Sequence, residues 1–427
     1  MKNLIEELSW RKMIQNIMPG TEEQLLKEMT CGYVGFDPTA DSLHIGSLIP
    51  IILLVHLQQA GHKPFALVGG ATGMVGDPSF KSEERNMLSE ETLLTNVAGI
   101  KKQLEKFLDF NPDKNNSAEI VNNYDWFKNI SFLDFIRDTG KHITVNYMMA
   151  KDSVKKRLEG TNGMSFTEFS YQLIQGYDFY WLNKNKNCLL QMGGSDQWGN
   201  IVTGTELIRK KSGKQAFALT CPLLKKSDGG KFGKTEKGNI WLDSEKTSPY
   251  HFYQFWLNAS DEDSKDWIKI FTFLPQIEIE NLISSHSENP SKRLLQKKLA
   301  EEVTRFVHGE ENLKQALDTT QQLFESQNKQ VENLTETELE SIEGIIKSKI
   351  SGQIILEPLD VITFLFESKI FASKGEARKM ITNGGISINR KKIIDANQKL
   401  SNEDLLHDKY VMVQKGKKNF YLVEFEF

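Results

Sequence analysis

Two separated stretches carry residues suited to phosphate chemistry. Residues 31–50, CGYVGFDPTADSLHIGSLIP, read as a strand running into a helix. The first backbone N–H groups of a helix point outward at such a turn and favour anions. The turn offers Asp37, Thr39 and His44, then Gly46 and Ser47. It lacks the glycine spacing of a dinucleotide fingerprint and has no Gly-Lys-Ser/Thr. A histidine there can donate to a phosphate oxygen, and a glycine lets a ligand approach the backbone closely. By itself the turn fits a plain loop with a surface histidine better. The second stretch, KKSDGGKFGKTEKGN at 225–239, sets Lys231 and Lys234 around Phe232-Gly233 and adds Thr235. Lysines on a glycine-rich loop neutralise charge that grows on a departing pyrophosphate. By itself this run fits a solvated charged loop.

The surrounding pattern predicts the elements that position these residues. CGYVGFD is a strand, LHIGSLIPIILLVHLQQAG a buried helix closed by Gly61, and KPFALVGGATG a second strand ending in glycines. Strand, helix and strand in this order form a βαβ unit with a parallel sheet. NKNCLLQMGGSDQWGN repeats the strand-to-glycine pattern, and IVTGTELIRKKSG starts another helix. Residues from about 90 to 180 read as a mostly helical insertion, with apolar residues at helical spacing. Ser248-Pro249 opens a further helical stretch. The expected fold is α/β. A Rossmann-like parallel-sheet domain with a helical insertion spans 1–220, and the lysine loop lies in 221–245. An all-helical domain covers 246–330, a polar linker 331–350, and a small α+β module 351–427 with glycine-turned hairpins.

Composition narrows the class. The chain has 427 residues, 39% hydrophobic and 26% charged, which gives room for two or three domains. A net charge of -4 argues against a protein that coats nucleic acid over its whole surface but leaves room for a local basic face. Cys31, Cys188 and Cys221 are far apart and form no C-x-x-C, and no histidines pair at ligand spacing. Neither a disulfide framework nor a bound metal is expected, and the usage fits a reducing cytoplasm. The most apolar run is too short for the roughly 20 residues that span a bilayer, so no membrane association is expected.

Together the two lysine and histidine stretches resemble the signatures of the class I aminoacyl-tRNA synthetases. They stand here as His44-Ile45-Gly46-Ser47 and Lys231-Phe232-Gly233-Lys234-Thr235. Ser47 departs from the histidine or asparagine usual at that place, while Thr235 keeps a hydroxyl. The amino acid would then be read elsewhere. Tyr171, Gln175 and Asp178 lie at i, i+4 and i+7 and share one helix face. That spacing fits a substrate site and a solvent-facing stripe equally well. Tyr33 and Asp178 suit a phenolic hydroxyl, and Asp77, after a glycine-rich strand end, suits an ammonium. Gln191, Gly194, Asp196 and Gln197 follow the strand CLLQM, where an Asp after glycines suits ribose hydroxyls.

Longer strings, among them GGATGMVGDPS, NNYDWF, MSFTEFSYQLIQGYDF, QMGGSDQWGN and KFGKTEKGNIWLD, resemble bacterial tyrosyl-tRNA synthetases. That resemblance spans essentially the whole chain. It implies that Tyr33 and Asp178 bind the tyrosine hydroxyl. Asp77, Tyr171 and Gln175 would take the ammonium, with Gln191 and Gln197 nearby. Asp37, Thr39, His44, Gly46, Ser47, Gly194 and Asp196 would face ATP. Lys81 and Arg85, with Lys231, Lys234 and Thr235, would hold the pyrophosphate in the transition state. It further implies ATP with Mg2+ as a substrate complex, tRNA(Tyr) as the acceptor, and a homodimer formed through the helical insertion. The helical domain would lie on the anticodon side. Lys151, Arg157, Arg209 and Lys210 are candidates for guiding the acceptor stem.

The terminal module resembles a small RNA-binding fold shared with a ribosomal protein, through SKGEARKMITNGGISINRKKI. From Lys374 to Lys418 there are 11 Lys/Arg against 5 Asp/Glu, a local excess of +6. Lys374, Arg378, Lys379, Arg390, Lys391 and Lys392 are its candidate RNA contacts. Two rival readings are the sister enzymes for tryptophan and an RNA-binding protein on a synthetase scaffold.

Overall fold

The computed structural model describes residues 3–79, 88–159, 163–230, 232–235, 238–321, 336–341, 345–416 and 419–427. The chain divides into two compact units. The first comprises 1–247 and 252–309, the second 248–251 and 310–427.

The first unit is built on a six-stranded sheet. Its strands are β1 (Asn16–Ile17), β2 (Cys31–Phe36), β3 (Lys63–Val68), β4 (Glu119–Asn122), β5 (Cys188–Gly194) and β6 (Phe217–Cys221), in the order β1-β6-β5-β2-β3-β4. All neighbours are parallel except β1, which runs antiparallel to β6. Chain order reverses at β2, which lies between β3 and β5. The carboxyl ends of the strands open a crevice at such a switch point. The first helix after β2, Leu48–Gln59, buries nine of its twelve residues, including Ile52, Leu53 and Leu54 at 0% exposure. A side chain of that kind contributes about 1.5–3 kcal/mol when taken fully from water. This is why LIPIILLVHL is apolar on every face rather than on one stripe.

Residues 90–180 are mostly helical, and the longest helix there is Phe166–Lys186. Ser165 and Glu168 close a capping box at its start, and Asn187, in the left-handed region, ends it. The segment also supplies β4, the outer strand beside β3. Four residues, all half-buried, give too short an alternation for sequence patterning to show.

The second unit carries a five-stranded sheet of β9 (Ile346–Ser351), β11 (Ile386–Ile388), β12 (Lys391–Lys392), β14 (Tyr410–Lys415) and β15 (Asn419–Glu426). Its order is β12-β11-β14-β15-β9. A separate short pair joins β10 (Leu359–Asp360) to β13 (Lys399–Leu400). The helices Val361–Glu367 and Lys374–Thr382 cover a core that includes Phe364 stacked on Phe425. The expected linker 331–350 differs from the structure at its end, because β9 pairs in parallel with β15. As an edge strand with largely exposed residues, IKSKIS shows no apolar alternation that would mark it.

Candidate active site

A cavity of about 330 Å³ opens at the carboxyl ends of β2 and β5. It gathers most of the residues that the sequence marked, from four separate stretches. Tyr33 lines it from β2, with Asp37, Thr39, His44, Gly46 and Ser47 from the turn that follows. Asp77 lies beyond β3, Tyr171, Gln175 and Asp178 on the long helix, and Gln191, Gly194 and Gln197 at the end of β5. The i, i+4, i+7 face of helix Phe166–Lys186 thus points into the cavity and not into solvent. Tyr171 and Asp178 are 4% and 1% exposed. Asp196 is not in the lining. Its carboxylate lies against Gly194 and is raised above the usual carboxylate range, by burial and then by the charge of Asp77.

Lys81, Arg85 and Lys231 lie outside the described residues. Of Lys234 and Thr235 the backbone is described, as strand β7 (Lys234–Thr235) paired with β8 (Gly238–Asn239).

One hydrogen-bonded chain links four residues of the cavity lining to Asn123 and Trp126, which stand outside it. Tyr171 donates its hydroxyl to Asp37 Oδ2 at 2.8 Å, and Thr72 Oγ1 donates to Asp37 Oδ1 at 2.7 Å. Asn123 Nδ2 donates to Thr72 Oγ1 and to Asp178 Oδ2, each at 3.1 Å. Trp126 Nε1 donates to Asp178 Oδ1 at 2.9 Å. Gly69 makes this approach possible, since a Cβ there would overlap Thr72 Oγ1 and Asp37 Oδ1. Asn123, Trp126 and Thr72 are residues that sequence reasoning gave no role. Asn123 and Trp126 lie in NNYDWF, whose asparagine and tryptophan offer no charge or spacing to single them out.

A second set orders the mouth. Gln197 Nε2 donates to Asp77 Oδ2 at 2.8 Å, and Asn200 Nδ2 donates to Gln197 Oε1 at 3.2 Å. Among the described residues, three polar atoms that line the cavity are buried with no hydrogen-bond partner: Tyr33 Oη, Gln175 Oε1 and Gln191 Oε1. Buried polar groups are nearly always paired, so three orphans converging on one cavity mark a place for a polar ligand. The Tyr33 hydroxyl is held protonated by burial and, second, by the nearby charge of Asp178.

Asp178 itself is pushed up to about 8 by burial, against the lowering effect of its bonds from Asn123 and Trp126. A folded-state value above the unfolded one means that the folded chain holds the extra proton between pH 3.8 and about 8. Stability is therefore lost as pH rises through that window. Each unit crossed costs about 1.4 kcal/mol at most. Asp178→Asn removes this titration. Thermal denaturation from pH 4 to 9 is expected to show the variant gaining on the parent chain as pH rises. A constant difference would contradict it.

The two phosphate-type stretches meet. His44 Nδ1 accepts from Gly46 N at 3.0 Å, which assigns the proton of the neutral ring to Nε2. Ile45 N donates to Ile240 O at 2.9 Å and Leu242 N to Leu43 O at 2.8 Å, so the segment after the lysine loop runs beside the histidine turn. Gly233, at φ +83, packs against Ile45 and Gly46. Lys246 pairs with Asp41 at 2.7 Å.

Arg157 differs from its expected place at an RNA surface. It is 9% exposed and forms a 2.7 Å ion pair with Glu168, which fixes the start of the long helix. Arg209 and Lys210 both pair with Glu206. Lys151 lies over the Tyr147 ring, and burial lowers it to about 8.

Comparison with known proteins agrees with this geometry. A family described as tRNA synthetases class I (W and Y) matches residues 27–325, and a tyrosine--tRNA ligase SYY-like C-terminal domain matches 341–423. The tyrosine--tRNA ligase of Bacteroides fragilis is 58% identical over 426 residues, 99% of each chain. That of Cytophaga hutchinsonii is 59% identical over 430 residues, 100% of each. Among solved structures, a C-terminally truncated mitochondrial tyrosyl-tRNA synthetase of Aspergillus nidulans aligns with TM-score 0.67 and 31% identity. The alignment covers 76% of this chain and 95% of that one. With the cavity, the paired signature stretches and near-full-length identity all in agreement, the chain belongs to the tyrosine--tRNA ligases of the class I synthetase family.

Proposed function

We propose that this protein activates L-tyrosine with ATP and transfers it to the 3'-terminal adenosine of tRNA(Tyr). The observation that carries the tyrosine assignment is the polar lining of the cavity, where the buried Asp178 carboxylate and the unpartnered Tyr33 hydroxyl line one space. A phenolic hydroxyl donates to the first and accepts from the second. Tyr171, Gln175 and Asp77 take the ammonium, with Gln191 and Gln197 beside them. Asp37, Thr39, His44, Gly46, Ser47, Gly194 and Asp196 face ATP, which enters with Mg2+ as a substrate complex.

In the first step a tyrosine carboxylate oxygen attacks the α-phosphorus of ATP. The bond from that phosphorus to the oxygen bridging to the β-phosphorus breaks, giving tyrosyl-adenylate and pyrophosphate. A carboxylate is already a competent nucleophile, so no protein base is needed. Positioning and charge stabilisation carry the rate. His44, donating through Nε2, and Lys81, Arg85, Lys231, Lys234 and Thr235 stabilise the charge on the departing pyrophosphate. In the second step a ribose hydroxyl of the tRNA attacks the carbonyl, and AMP leaves.

The assembly we infer is a homodimer. The helix Phe132–Asp138 in the insertion buries none of its residues, and Phe132 and Leu133 are 66% and 77% exposed. Lys374, Arg378, Lys379, Lys391 and Lys392 are exposed, and with the half-buried Arg390 they form the tRNA contact of the terminal module. A helical anticodon-side segment over 246–330 remains part of this reading. So does the cytoplasm as its location; among the described residues no helix is long and apolar enough to cross a membrane.

ATP–pyrophosphate exchange tests the function. Exchange is expected with tyrosine and not with tryptophan. A tryptophan response would favour the sister specificity, and no response to either would favour an RNA-binding protein on this scaffold.

A further inference from the structure

The loop that carries the two lysines is tied down by a residue with no charge and no assigned substrate contact. The ring of Phe232 lies in an aromatic cage. It stacks on Phe271 at 5.2 Å and 16°, and meets Trp267 edge-on at 5.0 Å. Trp256 and Phe255 close the cage at 6.0 and 6.1 Å. Offset and edge contacts of this kind contribute beyond the area they bury.

The cage is braced from the far end of the chain. Arg11 is 2% exposed although it carries a full charge. Its Nη1 donates to the carbonyls of Lys269 and Thr272, each at 2.6 Å, and its Nη2 to that of Leu274 at 2.9 Å. Its Nε donates to Glu7 at 2.6 Å. These carbonyls lie at and just past the C-terminal end of helix Asp261–Phe271, the end that presents Phe271 to Phe232. A rigid planar fork holds several carbonyls in a fixed spread, whereas a lysine offers one compact, freely rotating ammonium.

On its other side the loop meets the histidine turn. Gly233 needs its left-handed φ of +83 to turn away from the cage, and it rests there against Ile45 and Gly46. Ile240 N donates back to Gly233 O at 3.4 Å, and Ile240 O accepts from Ile45 N. Phe232 thus sits one residue after Lys231 and two before Lys234, with its backbone fixed between the cage and His44.

We propose that Phe232 is a positioning residue for adenylate formation: its caged ring, braced by Arg11, sets where the backbone that leads into Lys234 runs relative to the His44 turn. The inference rests on the synthetase function proposed for the chain. Charge stabilisation depends on placement, and a displacement of about 1 Å can cost about 100-fold in rate.

The test measures single-turnover adenylate formation and equilibrium tyrosine binding in the full-length chain. Phe232→Ala is expected to lower the rate constant of adenylate formation about 100-fold, while tyrosine affinity stays within about twofold of the parent. Phe232→Met fills the cage with a flexible side chain that favours aromatic neighbours. It is expected to recover most of the loss. Arg11→Lys keeps the charge but loses the fork, and is expected to slow the same step with tyrosine affinity unchanged. An unaltered rate constant in Phe232→Ala overturns the proposal. So does a loss shared equally by rate and tyrosine affinity, which would mark a purely structural residue. If Phe232→Ala does not fold, Arg11→Lys decides by the same two readouts. Failure of the parent chain to form tyrosyl-adenylate would refute the synthetase function instead, whatever the variants do.

Discussion

Asp178→Ala is expected to collapse the preference for tyrosine over phenylalanine. In the parent chain a phenylalanine ring would leave the Tyr33 hydroxyl and the Asp178 carboxylate facing a shared buried space without the ligand hydroxyl that pairs them. Burial makes that loss expensive, because Asp178 is 1% exposed and Tyr33 is 1% exposed. Tyrosyl-tRNA synthetases are the standing example of this effect, with about 10⁵-fold rejection of phenylalanine and no editing step, so the starting magnitude is the family's. On the proposed assignment, removal of the carboxylate takes away the acceptor that distinguishes the two substrates. It also strips Trp126 Nε1 and Asn123 Nδ2 of their shared partner, so some stability is lost as well. The decisive readout is therefore the ratio of kcat/KM for the two amino acids, which a general loss of folded protein leaves untouched. The ratio is expected to fall by about 100-fold, the scale set by a buried polar group left unpaired at a cost of up to roughly 3 kcal/mol. An unchanged ratio would refute the assignment of Asp178 to the phenol.

Lys231→Ala and Lys234→Ala carry the second large effect. On the proposed mechanism each removes one cation from the group that meets the departing pyrophosphate. Loss of a single preorganised donor to developing charge typically costs about 10²–10³ in rate. Adenylate formation is expected to slow by that order in rapid-quench experiments, while tyrosine binding, assigned to Tyr33, Asp77, Tyr171, Gln175 and Asp178, stays nearly intact. An activation rate equal to the parent's would remove the lysines from the mechanism. Phe232→Ala provides the matching contrast, because that variant keeps both charges and alters only their placement.

Much of the fold and of the site is legible in the amino-acid sequence. The strand-to-helix turn at 31–50 has only one sensible architecture, since a parallel βαβ unit must put the turn at the carboxyl end of its strand. The i, i+4, i+7 spacing of Tyr171, Gln175 and Asp178 places them on one face by helix geometry alone. Composition along the chain also separates the basic terminal module from an acidic whole. What the pattern leaves open is which way that helix face points. Polar residues among aromatics satisfy a solvent stripe and a lined cavity equally well, and tertiary contacts, Phe179 against Tyr33 among them, turn the stripe inward.

The sequence by itself thus determined the residue types, their local spacing and the family they resemble. Tertiary structure decided the partners. Asn123 and Trp126 became hydrogen-bond donors to Asp178 because β4 and the short helix after it lie beside β3, a neighbour relation with no local signature. Arg157 left the surface because Glu168 waits at a helix start eleven residues on. Phe232 looks like filler between two lysines until Phe271 and Trp267 enclose it. The physical reason is common to all three. Backbone propensity and side-chain period act over one turn or one strand, whereas burial, hydrogen-bond satisfaction and a shifted carboxyl depend on which distant segments the sheet order brings together.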